Sequence, residues 1–199
     1  MSPLERIHEG YVSGRRARKL SNHLAKLLPQ NSQVLDVGCG DGSLARLILK
    51  KRPDLSIKGI DVLIRSQTQI HVSPFDGETF PFENASFDVV MFVDVLHHTD
   101  DPMVLLREAV RVSRGLIVIK DHTADGFLAS PTLRFMDRVG NARHGVTLPF
   151  NYWTRQRWLE AFQAMGLTII DWESELEIYP WPASVVFGRS LHFATKLDK

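Results

Sequence analysis

Residues 34–43 read VLDVGCGDGS, an apolar strand that runs directly into three closely spaced glycines. Glycine turns of this kind commonly hold a nucleotide, because the backbone there can approach the ligand closely. Two features argue against a phosphorylated nucleotide. Ser43 stands where the dinucleotide fingerprint has its third glycine, and Asp36 and Asp41 would face the phosphates. Like charges a few ångströms apart in a cleft of low dielectric cost on the order of several kcal/mol, so the stretch favours a nucleoside that carries positive charge.

Strands and helices alternate along most of the chain, which predicts an α/β fold with a mostly parallel sheet. Predicted helices end at Leu28, begin at Ser43, run over 102–111 and begin at Thr154. The connection between the second and fourth strands is too short for a full helix plus a strand, so we expect a shortened or absent helix there. The final strand follows its predecessor without a clear helix, which permits an antiparallel pair. Apolar runs place the strands at 33–37, 55–61, 69–75, 87–95, 116–121, 167–174 and 190–197.

The composition is that of one globular domain without a strongly charged partner. The chain has 199 residues, 44% of them hydrophobic, and a formal net charge of +1. This balance argues against a dedicated nucleic-acid or membrane-surface binder. Cys39 is the one cysteine and cannot form an internal disulfide, the first residues lack the apolar core of a signal peptide, and no run reaches the roughly 20 apolar residues of a membrane span. We therefore expect a single cytoplasmic domain over 1–199 with no membrane span.

S-adenosylmethionine fits the charge preference of the turn, because it carries an ammonium and a sulfonium but no phosphate. VLDVGCGDG resembles the first motif of the class I S-adenosylmethionine-dependent methyltransferases, and residues 71–98, HVSPFDGETFPFENASFDVVMFVDVLHH, are the most specific part of the match. The resemblance covers most of the chain. It implies S-adenosylmethionine as the cofactor and a Rossmann-like three-layer sandwich, with a seven-stranded sheet in the order 3-2-1-4-5-7-6 and an antiparallel last strand.

The resemblance also implies which residues bind that cofactor. Asp61 stands where the family holds both ribose hydroxyls with one carboxylate, and Asp76 where an acidic residue accepts from the adenine amino group. Cys39 is expected to contribute its backbone and not its thiol. Tyr11 resembles an aromatic residue that some members fold over the cofactor. In full, the predicted cofactor contacts are Asp36, Gly38, Cys39, Gly40, Asp61, Val62, Asp76, Gly77, Asp94, Val95 and Tyr11.

Two histidines are candidates for a general base, because an imidazole of near-neutral pKa suits methyl transfer to oxygen. His98 belongs to the tandem pair His97-His98, and His122 follows the strand that ends at Asp121. Asp121 could orient a histidine or cap a turn. The alternative for the tandem pair is that one ring packs on the cofactor and the other hydrogen-bonds the backbone. No motif predicts a metal site.

Residues 122–153 make a connection that is too long for a simple loop, which predicts a lid over the acceptor. A compatible alternative is a helix that packs Phe135 and Met136 inward. Residues 1–30 would form an N-terminal helical cap. The candidate acceptor contacts in the lid are Arg143, His144, Tyr152 and Trp153.

Three functions remain open at this point. The first is a methyltransferase that acts on an oxygen, nitrogen or carbon nucleophile of a small molecule. The second is an RNA or protein methyltransferase that docks through the basic stretch 15–26, although a solvated helix face explains those charges more simply. The third is a non-catalytic scaffold with the same fold, against which the costly acidic residues of the pocket argue. No pattern in the sequence indicates an oligomeric state.

Overall fold

A seven-stranded sheet forms the centre of the computed structural model, which describes residues 14–141, 149–181, 183–188 and 190–199. Its strands are β1 (Gln33–Val37), β2 (Ser56–Asp61), β3 (Val72–Pro74), β4 (Phe87–Val93), β5 (Ser113–His122), β6 (Thr168–Glu173) and β7 (His192–Asp198). The strand order is β3-β2-β1-β4-β5-β7-β6, and β7 is antiparallel to both of its neighbours while the other pairs are parallel. The predicted fold class, strand order and antiparallel last strand are confirmed.

Helices connect the strands, and two of them begin at side-chain caps visible in the sequence. The Asp101 carboxylate accepts a hydrogen bond from the Met103 N–H at 3.0 Å, and the Thr154 hydroxyl accepts one from the Arg157 N–H at 3.3 Å. Such caps satisfy N–H groups that lack a partner inside the helix. A short 3-10 turn spans Leu96–His98. The α-helices of the described residues are α1 (Gly14–Leu27), α2 (Ser43–Lys51), α3 (Pro102–Val112), α4 (Ala129–Asn141), α5 (Arg155–Ala164) and α6 (Ala183–Phe187).

Alternate side chains of the strands enter two hydrophobic cores, one on each face of the sheet. In β4, Val90 and Phe92 belong to one core, while Val89 and Met91 belong to the other. Side chains of α3 and α5 complete the first core, and those of α1 and α2 complete the second. Burial on both faces explains why the parallel strands read as continuous apolar runs. With helices on both faces, the carboxyl ends of the parallel strands are the place for a ligand site.

The connection from β2 to β3 contains no helix in residues 62–71, all of which the structure describes. The expected loss of this helix is therefore confirmed, and β3 itself is three residues long. Val62, Leu63 and Ile64 are left 63%, 44% and 43% exposed where a helix would otherwise cover them. The flank of the sheet beside the glycine turn is consequently an irregular loop. None of the described helices has the length and apolar content that crossing a bilayer requires.

Gly59→Ala should lower the free energy of unfolding, because the added methyl group would enter a space that is already filled. Its Cβ would lie 2.3 Å from Cys39 Sγ and 3.2 Å from Ile70 Cδ1. Overpacking of this kind costs about 1–3 kcal/mol. Urea unfolding followed by circular dichroism measures the loss.

Gly115→Ala is the matched strand control, since the nearest atom to its Cβ would be Asp198 Oδ1 at 4.0 Å. Combining Cys39→Ala with Gly59→Ala removes the closest atom and should recover part of the lost stability. If the Gly59 and Gly115 variants were equally stable, the packing of Cys39 over Gly59 would be refuted.

Candidate functional site

The glycine turn after β1 fits tightly between two neighbouring loops. The Gly38 N–H donates to the carbonyl of Ile60 at 2.8 Å, which ties the turn to the end of β2. A Cβ on Gly38 would lie 2.6 Å from a methyl carbon of Val95, and the φ of +67° disfavours any residue that has a side chain. Glycine is therefore required here for space as well as for conformation. The turn presents its backbone to the cleft in front of the sheet.

Asp61, the last residue of β2, has both carboxylate oxygens fixed by backbone N–H groups. The Gly40 N–H donates to Oδ2 and the Leu63 N–H donates to Oδ1, each at 2.8 Å. Each oxygen keeps a lone pair for one further donor. The carboxylate can therefore accept hydrogen bonds from two hydroxyl groups of a single ligand.

Asp36, in β1, is a buried carboxylate that has no hydrogen-bond partner among the described residues. It is 3% exposed and borders a cavity. Burial and the negative charge of Asp61 raise the pKa of Asp36 to about 7. Because an unpaired buried carboxylate is costly, a cationic group in the cavity would stabilise it.

Two cavities meet at Gly38 and Asp94, in front of the carboxyl ends of β1, β2 and β4. The smaller has a volume of about 260 Å³ and the larger about 1120 Å³. Every predicted cofactor contact within the described residues lines one or both of them. The smaller is lined by Asp36, Gly38, Cys39 and Asp94, and the larger by Gly38, Gly40, Asp61, Val62, Asp76, Gly77, Asp94 and Val95.

Asp94 lies where the cavities meet and is paired with two cations. It follows β4 with a left-handed φ of +57°, and its carboxylate contacts Arg16 of α1 and the buried Lys120 of β5. Burial raises the pKa of Asp94, but the positive charges of Lys120 and Arg16 outweigh this effect and hold it well below its ordinary value. Arg16 is therefore not part of the solvated helix face that the basic stretch 15–26 predicts. Its spacing of four residues from the inward-facing Leu20 was the available signal.

The buried carboxylate of Asp121 organises the turn after β4. It accepts hydrogen bonds from the backbone N–H groups of Leu96 and His122, at 3.0 and 2.8 Å. Its Oδ1 also lies 2.6 Å from Nδ1 of His97 and 3.3 Å from Nδ1 of His122. Asp121 thus has both roles that the sequence left open, since it caps a turn and orients a histidine.

His97 is held between two carboxylates. Its Nε2 lies 3.5 Å from Oδ1 of Asp137, which belongs to α4. Burial lowers the pKa of His97, but the charges of Asp121 and Asp137 outweigh burial and raise it to about 10. The Tyr152 hydroxyl donates to Asp137, and its ring stacks 5.5 Å from the ring of His97. The contact of Asp137 with His97 is not predicted from the sequence, because no local pattern joins α4 to the turn after β4.

Two groups of described residues have the spacing of metal ligands, with their ligand atoms within 4.8 Å of one another. They are His97 with Asp121 and His122, and His97 with His98 and Asp137. Both groups include His97, whose Nδ1 and Nε2 face the carboxylates of Asp121 and Asp137 at 2.6 and 3.5 Å. Because a histidine ligand must be unprotonated at the metal, a metal in either group would replace a contact between His97 and a carboxylate.

His98 and His122 differ in what they face. His98 is half-buried and lines the larger cavity, and its Nδ1 has no hydrogen-bond partner within the part of the chain that the structure describes. Burial and the positive charge of His97 lower the pKa of His98, which keeps the ring neutral at neutral pH. His122 is 5% exposed and lines neither described cavity, and burial and Lys120 lower its pKa to about 4. His98 is therefore the histidine placed to meet a ligand.

The two predicted acceptor contacts that the structure describes, Tyr152 and Trp153, lie in different places. Tyr152 lies beside the site through its contacts with His97 and Asp137. Trp153 lies elsewhere than predicted: it is 2% exposed in the core, with its ring 4.8 Å from that of Trp158. An indole gains more from burial in such a cluster than from a partly wet cleft, which explains the correction. Three further predicted residues, Tyr11, Arg143 and His144, lie outside the described residues.

The sheet order and its antiparallel last strand define a Rossmann-like α/β domain with an acidic cleft at the glycine turn. The chain belongs to the methyltransferase family: the family model described as a methyltransferase domain matches residues 9–171. The resemblance read from residues 34–42 and 71–98 is thereby confirmed.

Two relatives and one similar solved structure are also named as methyltransferases. The 27-O-demethylrifamycin SV methyltransferase of Amycolatopsis mediterranei is 29% identical over 131 residues, which are 55% of this chain and 48% of the relative. The 2-methyl-6-phytyl-1,4-hydroquinone methyltransferase of Synechocystis is 28% identical over 140 residues, 64% of this chain and 38% of the relative. A crystal structure of an S-adenosylmethionine-dependent methyltransferase from Aquifex aeolicus covers 100% of this chain and 98% of its own, with a TM-score of 0.65 and 15% identity. The chain spans about half the length, or less, of these curated relatives.

The ring of His97 should carry two protons at neutral pH, which the ¹⁵N chemical shifts of its nitrogens will report. It should lose a proton only near pH 10, whereas the ring of His122 should titrate near pH 4. Asp121→Asn keeps the side-chain shape but removes the charge, so it should lower the pKa of His97.

The raised pKa of His97 also determines the direction in which the stability of the fold changes with pH. The pKa of His97 in the folded chain lies above the value of about 6.5 for a free imidazole. Its charge therefore stabilises the fold fully below about pH 6.5, and this stabilisation is lost as the pH rises through about 10. His97→Gln should flatten that part of the pH dependence of the free energy of unfolding. A wild-type His97 ring that titrates near pH 6.5 would refute the arrangement.

Proposed function

We propose that this chain transfers a methyl group from S-adenosylmethionine to a small-molecule acceptor. The observation that carries the proposal is a pair of carboxylates in one cleft: Asp36, buried and unpaired among the described residues, and Asp61, with two fixed oxygens. A phosphorylated nucleotide would add negative charge beside the unpaired Asp36 at the glycine turn. A cationic nucleoside would neutralise Asp36 and hydrogen-bond Asp61.

In this proposal the adenosine part of the cofactor occupies the larger cavity and its amino-acid part the smaller one. Asp61 accepts from the ribose hydroxyls, and Asp36 faces the ammonium. Oδ1 of Asp76 accepts from two backbone N–H groups of its own turn, at 2.8 and 2.6 Å, which leaves Oδ2 for the adenine amino group. Arg16, in contact with Asp94, is the cation beside the smaller cavity that would meet the cofactor carboxylate.

Three observations support a small-molecule acceptor. The two relatives described above are named for small molecules, a rifamycin precursor and a hydroquinone. The larger cavity, about 1120 Å³, exceeds the 300–1,000 Å³ or so of usual ligand pockets and leaves room for a second ligand beside a nucleoside. The basic helix α1 is partly engaged within the chain, since Arg16 pairs with Asp94 and Lys19 lies 3.4 Å from Glu177. This engagement disfavours docking of RNA through α1.

When bound, the cofactor supplies a methyl group already activated on its sulfonium. The chain then has two tasks: to hold the acceptor in line with the methyl group and to take the proton that the acceptor loses. His98 is the residue we assign to the proton, because its neutral ring faces the larger cavity. The charged His97 lies against it, with ring centroids 4.0 Å apart, and fixes its position. His122, the other predicted base, supports this network through Asp121.

The proposal treats residues 1–199 as one domain in which 122–153 cover the acceptor side. Contacts of Asp137 and Tyr152 with His97 support this role for the segment. A cytoplasmic location is part of the same proposal, since Cys39 is a free cysteine.

Asp61→Ala should weaken binding of S-adenosylhomocysteine about a hundredfold in isothermal titration calorimetry. Hydrogen bonds to a charged group contribute roughly 1.5–3 kcal/mol each, and the substitution also releases the N–H groups of Gly40 and Leu63. Asp171→Ala, at an exposed position of β6, is the control and should bind normally. Binding of NAD to the wild-type chain without binding of S-adenosylhomocysteine would refute the cofactor assignment.

His98→Gln should reduce methyl transfer about 10²–10⁴-fold while leaving S-adenosylhomocysteine affinity unchanged. Release of S-adenosylhomocysteine across a panel of phenols, quinols and amines measures the transfer. Because burial and the charge of His97 lower the pKa of His98 from its ordinary value of 6.5, wild-type activity should be retained at neutral pH and lost only at a pH lower than that at which a free imidazole takes up its proton. His71→Gln, whose ring contacts Ser73 at 3.2 Å, is the histidine control. Equal turnover by the two variants would remove His98 from the proton-transfer role.

A further inference from the structure

The outer faces of α4, α6 and the residues just before them carry bulky apolar side chains. The stacked rings of Phe135 and Phe187, with centroids 6.4 Å apart, join the two helices into one surface. We call it the lid surface. Its most exposed members are Phe127 (86%), Trp181 (82%), Val185 (66%), Phe135 (58%), Leu128 (52%) and Val139 (52%).

This surface results from the pattern of α4. Leu133 is buried and Met136 packs beside it in a small cluster with Ala129 and Leu191. The opposite face of the helix presents Phe135 and Val139, so the expectation that Phe135 packs inward is wrong. A helix that buries one apolar face and exposes another has apolar surface left for a partner.

The exposed charges of α4 are both positive, while the exposed Asp125, two residues before Phe127, accepts a hydrogen bond from the Arg155 N–H at 2.7 Å. Arg134 and Arg138 are exposed on α4, with their guanidinium carbons 5.4 and 5.5 Å from the ring centroid of Phe150. In sequence, residues 126–152 and 178–193 contain four arginines and a single acidic residue, Asp137. That residue is 8% exposed and faces His97, so it does not offset the arginines at the surface. The balanced charge of the whole chain conceals this local excess.

We propose that the lid surface docks onto an anionic lipid bilayer. On α4, exposed apolar side chains lie next to two arginines and the one acidic residue is buried, which is what an interfacial helix needs to insert its apolar side chains while its cations meet lipid phosphates. A second copy of the chain fits less well. A symmetric dimer would bring Arg134 and Arg138 of both copies together, and the acidic residue of α4, Asp137, faces His97 instead of the surface.

Docking would bring the bilayer next to the acceptor side of the site. α4 carries Asp137, which contacts both Tyr152 and His97 from inside the same helix that presents Phe135 outward. An acceptor dissolved in the membrane would then reach the cleft beside the lid. This consequence for the acceptor rests on the proposed function, whereas the docking itself does not.

Cosedimentation of the full chain with vesicles tests the docking. We expect binding to vesicles of phosphatidylcholine mixed with phosphatidylglycerol, weaker binding to phosphatidylcholine alone, and a decrease with added salt. Phe127→Ser combined with Trp181→Ser should reduce the partition coefficient about tenfold or more, because two apolar side chains no longer leave water. Arg134→Glu combined with Arg138→Glu should remove the preference for the anionic lipid.

Leu159→Ser combined with Ile170→Ser is the matched control, since these residues are 38% and 54% exposed on α5 and β6. This control should bind vesicles as the wild-type chain does. Retained calorimetric binding of S-adenosylhomocysteine by the Phe127/Trp181 variant would show that it is folded and would separate the docking result from the cofactor assignment. The proposal is overturned if the wild-type chain does not bind vesicles. It is also overturned if the Phe127/Trp181 variant and the Leu159/Ile170 control lose vesicle binding equally. So does a dimer in analytical ultracentrifugation that the Phe127/Trp181 variant dissociates, since the lid surface would then join two copies.

Discussion

The carboxylate of Asp61 joins the two loops on which the candidate cofactor cleft is built. One oxygen is tied to the glycine turn after β1 through the Gly40 N–H, and the other is tied to the loop after β2 through the Leu63 N–H. These bonds keep the side chain extended toward the cleft and reduce its freedom before any ligand arrives. The turn therefore binds an acidic side chain of its own protein with an N–H that, in dinucleotide-binding folds, faces the ligand's phosphates. This one constraint fixes the position of an acidic side chain beside the glycine turn.

The remaining charges of the cleft are arranged around that constraint. Asp94 is neutralised by Lys120 and Arg16, whereas Asp36 has no cation beside it among the described residues and has a pKa raised to about 7. The cleft thus contains one carboxylate, Asp94, that is already paired with cations, and another, Asp36, that is not. Since desolvating an unpaired carboxylate is costly, the unpaired one is where a ligand cation gains most. The distinction depends on which carboxylates lie close to cations and not on how many there are.

Features set by local patterns could be predicted from the sequence, and features set by contacts between distant segments could not. The glycine turn, the apolar strands and the missing helix before β3 follow from residues close together in the chain. The pairing of Arg16 with Asp94 joins residues 78 positions apart, and Asp137 reaches His97 from a different helix. The exposure of Phe135 likewise depends on which face of α4 packs against Ala124, Tyr152 and Leu191. Periodicity gave the helix but did not choose between its two apolar faces.

The tandem histidines show how such distant contacts divide similar residues. His97 and His98 are adjacent in sequence, but Asp121 from β5 and Asp137 from α4 both approach the first ring. The resulting positive charge at His97 lies 4.0 Å, centroid to centroid, from the second ring and disfavours another positive charge there. The pair of carboxylates therefore has two effects. It holds the charged ring of His97 between β5 and α4, and it leaves the neutral imidazole of His98 facing the cleft. The acid–base character of His98 is in this sense set by residues that lie behind it.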